Sequence, residues 1–395
     1  MKKKRLIVLS DISYPDTNAG ASRIYERLKY WKDSYDVHLV TQHAANGKKI
    51  QKEVEDLGFK VTRFPRSPFK GKGLFSRAIS YLWFSDFSFF YLLFSAKKGD
   101  VLFTTSPQFL NLVVAYIISG FKRTKLVFEI SDLWPDILLE LDVLSSKSIV
   151  YKVWSKLEKF LYKKADAIIA LTPGVKSRIV SKGVLENKVT SIINGFDEKL
   201  WKEKAEKQNS KFIVGYYGTL GRVIDISLFL DTAKSFHDKF PEEKVEFHLA
   251  GQGIKEVEIL DFIKTNQAVS LKFLGELPKE QMQGVWEETG VCFIPLVDLP
   301  VMESCIPAKL LECIGVGVPL LLSGPNQSDG AKLIEDYGFG KTIKPSEKDQ
   351  IVDVLKNWCQ KPDEYQRALK SMRENRKAFT REKQASSVLD AVNSL

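Results

Sequence analysis

The stretch from Ser304 to Pro319 concentrates side chains fit to hold an anion. Pro307 suits the first position of a helix, where its missing N–H costs nothing. Backbone N–H groups at such a helix start, from Ile306 onward, can face a phosphate, and Lys309 adds a full charge. Glu312 follows Pro307 by about 1.4 turns, where a carboxylate can accept hydrogen bonds from a ribose diol. Its apolar neighbours Leu310, Leu311, Cys313 and Ile314 argue against a merely solvated position. Gly315 and Gly317 end this helix, and Pro319 opens the next strand.

Upstream, Gly215, Gly218 and Gly221 lead into Arg222, whose guanidinium can grip a diphosphate through two parallel hydrogen bonds. Gly251 and Gly253 close the following strand with a similar turn. Each loop alone fits a tight turn as well as a ligand site; two in succession favour a phosphate cradle. Near the start, Ser10 to Arg23 places Gly20 and Ala21 ahead of a helical run, Ile24–Trp31. This is either an ordinary turn or a helix start open to an anion, and it is not the dinucleotide pattern G-x-G-x-x-G. Glu129 and Asp132 end another strand and are candidates for binding or deprotonating a hydroxyl. Glu129 equally fits pairing with a buried base, and Trp134 fits packing or stacking on a sugar.

Short β-branched and aromatic runs position these residues. They lie at 5–10, 36–41, 61–64, 101–105, 125–130, 167–171 and 189–193, and again at 212–217, 245–250, 271–274, 291–295, 319–323 and 340–343. Helix-length segments separate them, which implies βαβ units and mainly parallel sheets. The fold class is α/β, with two tandem Rossmann-like doubly wound domains and a cleft between them. Ligands are expected at the carboxyl ends of strands facing that cleft. Domains are expected over 1–198 and 211–375, joined by a Lys/Glu/Gln-rich linker over 199–210. A C-terminal helix over 376–395 can cross back to the first domain.

The 395 residues are 44% hydrophobic and 27% charged, which excludes a disordered chain and argues against a multispan membrane protein. Cys292, Cys305, Cys313 and Cys359 form no C-x-x-C pair, and four histidines are scattered, so no metal is expected. The apolar run Leu6–Leu9 after Lys2–Arg5 is too short for a signal peptide, which predicts a cytoplasmic protein. Residues 1–200 carry a net +13 and the remainder −3. One domain therefore faces something anionic: nucleic acid, a membrane surface or a phosphorylated acceptor. Ile79–Ser95 holds eight aromatics and one charge, Asp86, between bases at Lys70, Lys72, Arg77, Lys97 and Lys98. It is either a core helix or an interfacial helix with Trp83, Phe87 and Phe90 at the bilayer boundary.

Taken together, these stretches resemble glycosyltransferase family 4, of the GT-B fold. They are closest to the bacterial branch that builds lipid-linked surface glycans such as O-antigen, capsule and exopolysaccharide. The matching residues are Pro15–Arg23, Thr105–Pro107, Phe128–Pro135, Leu171–Gly174, Ile193–Asp197, Tyr217–Arg222, Gly251–Gly253 and Pro307–Pro319, in family order. The resemblance implies retaining, metal-independent transfer from a nucleotide-sugar, UDP in most relatives, to a lipid-linked saccharide, by a peripheral membrane protein that binds no nucleic acid. It implies that Glu312 holds the ribose and that Arg222 and Lys309 neutralise the diphosphate. Gly20 and Ala21 would reach that diphosphate from the first domain, and Gly218, Gly221, Gly251, Gly253, Ile306 and Pro307 would complete the donor site. The acceptor side would take Pro15, Arg23, Glu129, Asp132 and Trp134, with Asp132 catalytic. Two positions depart from the family: Ser304 stands where a Glu is usual, and Val223–Ile226 lacks the frequent Lys. A nucleotide-sugar epimerase of the same fold and a non-catalytic partner subunit are the competing readings.

Overall fold

The computed structural model describes residues 3–11, 19–43, 58–68, 74–106, 108–140, 143–205, 211–360 and 362–395. These form two units: 1–194 with 381–395, and 195–380. The expected fold class is what the structure has, and the boundary falls at Asn194/Gly195 rather than after 198. The reason is local. Trp201 is buried in the second unit, and Lys204 bonds Val316 O through its backbone and Thr289 O through its ammonium. The first half of the expected linker is therefore part of that unit's wall.

Unit 1 runs β1 Arg5–Leu9, α1 Ala19–Trp31, β2 Asp36–Gln42, β3 Lys60–Phe64, α2 Leu74–Ser95, β4 Val101–Thr105, α3 Phe109–Lys122 and β5 Lys125–Ile130. It continues with α4 Asp136–Glu140, α5 Ile149–Lys164, β6 Ala167–Ala170, α6 Pro173–Ser181 and β7 Val189–Ser191. The strands are parallel in the order β3-β2-β1-β4-β5-β6-β7. Side chains alternate along each strand, so each face takes its own helices. Ile7, Leu9, Leu102, Phe128 and Ile130 pack with Phe84 and Leu92 of α2, Ala115 and Ile118 of α3, and Leu161 of α5. Leu6, Val8, Phe103 and Val127 face Leu28 and Trp31 of α1.

Unit 2 runs β8 Phe212–Tyr217, α7 Ile226–Lys239, β9 Val245–Ala250, α8 Glu256–Thr265, β10 Leu271–Phe273, α9 Lys279–Glu288 and β11 Thr289–Pro295. There follow α10 Ala308–Val316, β12 Leu320–Ser323, α11 Asp329–Tyr337, β13 Gly340–Ile343, α12 Lys348–Cys359 and α13 Asp363–Asn375. The order β10-β9-β8-β11-β12-β13 repeats the pattern of unit 1. In both sheets the order reverses beside the first strand, which marks β1/β4 and β8/β11 as the switch points where such sheets bind ligands.

The expected 376–395 helix divides at Thr380. Arg376 stays with unit 2, its guanidinium on the carbonyl oxygens of Gly315 and Trp201. Helix α14, Arg381–Asn393, returns to unit 1. There Ala385, Val388, Leu389 and Val392 close the face that carries α1, Trp31 donates to Ala385 O at 3.0 Å, and Tyr35 donates to Asn393 at 2.6 Å. Without this helix, one face of the first sheet would be only partly covered. Leu389→Ala should therefore cost about 2–4 kcal/mol, a large-to-small core change. Denaturant unfolding checks this, and an unchanged midpoint would show that α14 adds nothing to unit 1.

Candidate functional site

At the unit 1 switch point, the polar residues at the strand ends are joined into one network. Arg23 and Arg27 are one turn apart on α1, and both reach the Glu129 carboxylate at the end of β5. Arg23 meets Oε1 at 3.0 Å and donates to Asn194 Oδ1 at 3.1 Å, while Arg27 takes Oε2. Thr105, ending β4, donates to Oε1 at 3.2 Å. Glu129 is fully buried, and Arg27 nearly so. Burial alone would raise the Glu129 carboxyl, but the two guanidiniums and their hydrogen bonds hold it below its ordinary value. Burial lowers the Arg27 guanidinium, and Glu129 opposes that.

Glu129 thus takes the second of its two sequence readings, pairing with buried bases, here Arg23 and Arg27. The signal was present in the sequence as Arg23 and Arg27 at helical spacing, which places both heads on one face. Gly20 and Ala21 also differ from expectation: they lie inside the first turn of α1 rather than ahead of it. Alanine is the best helix former, so the helix starts early. Pro15 and Pro107 lie outside the described residues.

Asp132 stands apart from that network. It is exposed just past β5 and accepts from Ser131 Oγ at 3.0 Å. Ser131 is anchored to Ser106, beyond β4, through its backbone N–H at 2.9 Å. Trp134 stacks on Trp154 of α5 at 6.2 Å, a packing role. Asp136 then meets Lys182 at 2.8 Å, and Lys182 also meets the buried Glu158 of α5. The 131–136 segment is thus fixed at both ends, with one carboxylate left facing out.

In unit 2 the switch-point loops are welded together by backbone. Gly218 N–H donates to Ala250 O at 2.9 Å, Leu220 N–H to Gln252 O at 3.0 Å, and Gly251 N–H to Gly275 O at 2.8 Å. On the other side, Asp225 N–H meets Pro295 O at 2.8 Å, and its carboxylate caps α7 through Leu228 N–H. Gly251 has φ +138°, and a Cβ there would lie 1.8 Å from Gly218 O. Only glycine permits this approach. The N–H groups of Gly218 and Gly251 are therefore committed within the protein, and that of Gly253 goes to Glu256. These glycines let the two loops pack against each other, and their N–H groups are bonded within the protein.

The loop brings its neighbours onto α10. The Lys309 side chain runs over Gly218, with Cε 3.0 Å from where a Cβ would be, and the Tyr216 hydroxyl is 3.1 Å from the same point. Lys309 pairs with Glu312 at 2.8 Å, and both are half-buried. Arg222 is exposed after Gly221. Pro307 sits one position earlier than expected, at the cap rather than inside the first turn, and gives α10 no side-chain cap. Ile306 precedes it, half-buried. A helix start without a side-chain cap is open to an anion. Gly317, not Gly315, ends α10 in the left-handed region at φ +83°. Gly315 lies within the helix, where a Cβ would fall 2.6 Å from the Phe196 ring. Among the described residues, no three His, Cys, Asp or Glu side chains are grouped to hold a metal ion.

Residues 18–195 match the family described as glycosyl transferase 4-like domain. The probable glycosyltransferase WbjE of Pseudomonas aeruginosa is 23% identical over 311 residues, 75% of each chain. Among solved structures, the chain superposes on Alr3699/HepE of Anabaena in complex with UDP, with TM-score 0.72, 15% identity, and 99% and 100% of the two chains covered. The lipopolysaccharide outer core galactosyltransferase WaaB gives 0.66 at 13% identity, with 99% of each chain covered. At such identities the structural likeness speaks for the fold, and that fold is GT-B.

Glu129→Gln should destabilise unit 1 by about 3–5 kcal/mol, since two buried guanidiniums lose their counter-charge. The pH dependence follows in sign. A carboxyl held low in the folded chain contributes stability above its unfolded value of about 4.3, and the contribution is lost as pH falls through the lower folded value. Thermal melts of wild type and Glu129→Gln should converge toward acid; parallel curves would refute the charge assignment.

Proposed function

We propose that this chain, whose residues 18–195 belong to the glycosyl transferase 4-like domain family and whose architecture is the GT-B fold, transfers a sugar from a uridine-diphosphate donor. The acceptor is a lipid-linked saccharide of bacterial surface-polysaccharide synthesis, the anomeric configuration is retained, and no metal is required. The observation that carries the reading is the Lys309–Glu312 pair beside Gly218, at the uncapped start of α10. A diphosphate and a ribose need this combination: N–H groups and an ammonium for the phosphates, and a carboxylate one turn away for the diol. The UDP bound by the Anabaena protein and the galactosyl transfer in the name of WaaB support the donor class.

The chemical task is departure of the nucleoside diphosphate from an anomeric carbon that becomes oxocarbenium-like. Negative charge grows on the leaving phosphate, and fixed cations aimed there stabilise the transition state more than the ground state. Lys309 and Arg222 supply them. Asp132 is the carboxylate that receives the acceptor hydroxyl, because Glu129 is neutralised by two arginines.

Calorimetry with two ligands separates the roles. Glu312→Ala should weaken both uridine and UDP by about tenfold to a hundredfold, the worth of a charge-assisted hydrogen bond. Lys309→Met should weaken UDP and spare uridine. Tighter UDP binding by Glu312→Ala would show that Glu312 only tethers Lys309, and would overturn the ribose assignment. UDP release from a UDP-sugar with a lipid-linked acceptor should survive EDTA; loss restored by Mg²⁺ would contradict metal independence.

A further inference from the structure

Asp132 is exposed just past β5, and an exposed aspartate ordinarily moves among several rotamers. Here hydrogen bonds hold it. Its Oδ2 accepts the Ser131 hydroxyl at 3.0 Å, and the Ser131 and Ser106 hydroxyl oxygens lie 3.0 Å apart. Ser106 Oγ also accepts the Ser131 backbone N–H at 2.9 Å. Ser106 is itself buried just beyond β4. Its N–H donates to Glu129 O at 2.8 Å, and its carbonyl accepts the Thr105 hydroxyl at 2.9 Å. A chain of bonds thus starts among the buried strand ends and finishes on the exposed carboxylate. Among the described residues, Asp132 Oδ1 has no hydrogen-bond partner.

Counting protons assigns the direction of this chain. A serine hydroxyl has one hydrogen to donate, and a carboxylate has none to give back. The Ser131 hydrogen goes to Asp132, the charged and therefore stronger acceptor. The bond between the two hydroxyls is then donated by Ser106, whose lone pairs also take the Ser131 N–H. Both hydroxyl hydrogens point along the chain toward Asp132. Ser131 has two separate tasks in it: the backbone ties the loop to Ser106, and the hydroxyl ties the carboxylate. The loop has other anchors too. Leu133 and Pro135 are buried, and Asp136 meets Lys182 at 2.8 Å. Removing the Ser131 hydroxyl should therefore free the carboxylate without releasing the loop.

We propose that Ser131 and Ser106 are positioning residues for the transfer: their hydroxyl chain holds Asp132 by Oδ2 in one rotamer and leaves Oδ1 for the acceptor hydroxyl. The inference rests on the reading of Asp132 given above. A general base acts only within hydrogen-bond reach of the proton it takes, and a carboxylate shared among rotamers is there only part of the time. In the transfer, the acceptor oxygen bonds the anomeric carbon, and the bond to the diphosphate breaks with its electron pair on UDP. The acceptor proton passes to Oδ1, while Oδ2 keeps the Ser131 hydrogen bond. The benefit falls on kcat rather than on donor affinity, because the serines belong to unit 1 and the proposed donor residues to unit 2.

The experiment is a double-mutant cycle on the full chain: Ser131→Ala, Asp132→Asn and the two together. The rate is UDP release from UDP-glucose or UDP-galactose, with polyprenyl-diphosphate N-acetylglucosamine as the lipid-linked probe and UDP calorimetry in parallel. Ser131→Ala should lower kcat about tenfold, the size of a charge-assisted hydrogen bond, and should melt and bind UDP as wild type does. Ser131→Thr keeps the hydroxyl and should restore most of the rate. Adding Ser131→Ala to Asp132→Asn should cost less than about twofold more, because the serine acts through the carboxylate. A further tenfold loss in that background overturns the positioning role, as does a Ser131→Ala chain that melts far below wild type. Full activity in Ser131→Ala beside an impaired Asp132→Asn also overturns it and leaves the Asp132 reading standing. Full activity in Asp132→Asn removes both. Crystal structures of wild type and Ser131→Ala read the rotamer without substrate, and they decide the matter even where neither UDP-sugar is turned over. One Asp132 rotamer in wild type and several in the variant support the proposal; the same spread in both overturns it.

Discussion

A parallel sheet covered by helices on both faces has no wet side, and this constraint decides where chemistry can occur in the chain. Along β1, Leu6 and Val8 are sealed on one face and Ile7 and Leu9 on the other, and β8 is buried from end to end. Polar function is left to the strand ends. The order 3-2-1-4-5-6 then selects among the ends, because neighbouring loops part only where the order reverses. Thr105, Glu129 and Asp132 in unit 1, and Gly218, Arg222 and Lys309 in unit 2, sit at or beside those two places. The same topology reconciles glycines that pack loop against loop with cations that stay available: the backbone of 218–221 is committed sideways to 250–253, and the side chains are left to face the open end.

The layout of elements was legible because parallel strands buried on both faces read as short apolar β-branched runs. The thirteen runs in the sequence agree with the strands to within a residue or two. Boundaries were less legible where a single hydrogen bond decides them. Pro307 suits a helix's first residue by its fixed φ, yet the chain uses it one place earlier, with Leu310 N–H bonding its carbonyl. Gly315 and Gly317 look alike in sequence, but one makes room for Phe196 and the other takes the left-handed cap.

Partnerships were the hidden part. Nothing local distinguishes Glu129, which is neutralised, from Asp132, which is not. The difference is that β5 points the first into the path of α1, where Arg23 and Arg27 wait, and the chain leaves the sheet before the second. Exposure was hidden likewise: the aromatic density of α2 stands out in the sequence, and the apolar residues of α5 do not. Trp83 bonds Pro65 O and packs on Phe87, which stacks on Phe64, whereas Phe90 is exposed. The aromatics of α2 divide between core and surface, whereas Ile149, Val150, Val153, Leu157 and Phe160 are all exposed.

The two switch points handle charge in opposite ways, which is why the proposed anion site is placed at one of them. In unit 1, two guanidiniums and one carboxylate are buried and mutually satisfied. Withdrawing any member strands a charge in low dielectric, so an incoming phosphate has no inexpensive way to recruit them. In unit 2, Arg222 is exposed, and Lys309 meets Glu312 in a half-buried pair three residues apart on one helix. Such pairs contribute about 0.2–1 kcal/mol, so the proposed ligand can exchange the contact at little cost and gain both groups, the ammonium for its phosphates and the carboxylate for its diol. A charge that is weakly held in the free protein is one that can be handed to a substrate, and of the two switch points it is that of unit 2 that keeps such charges.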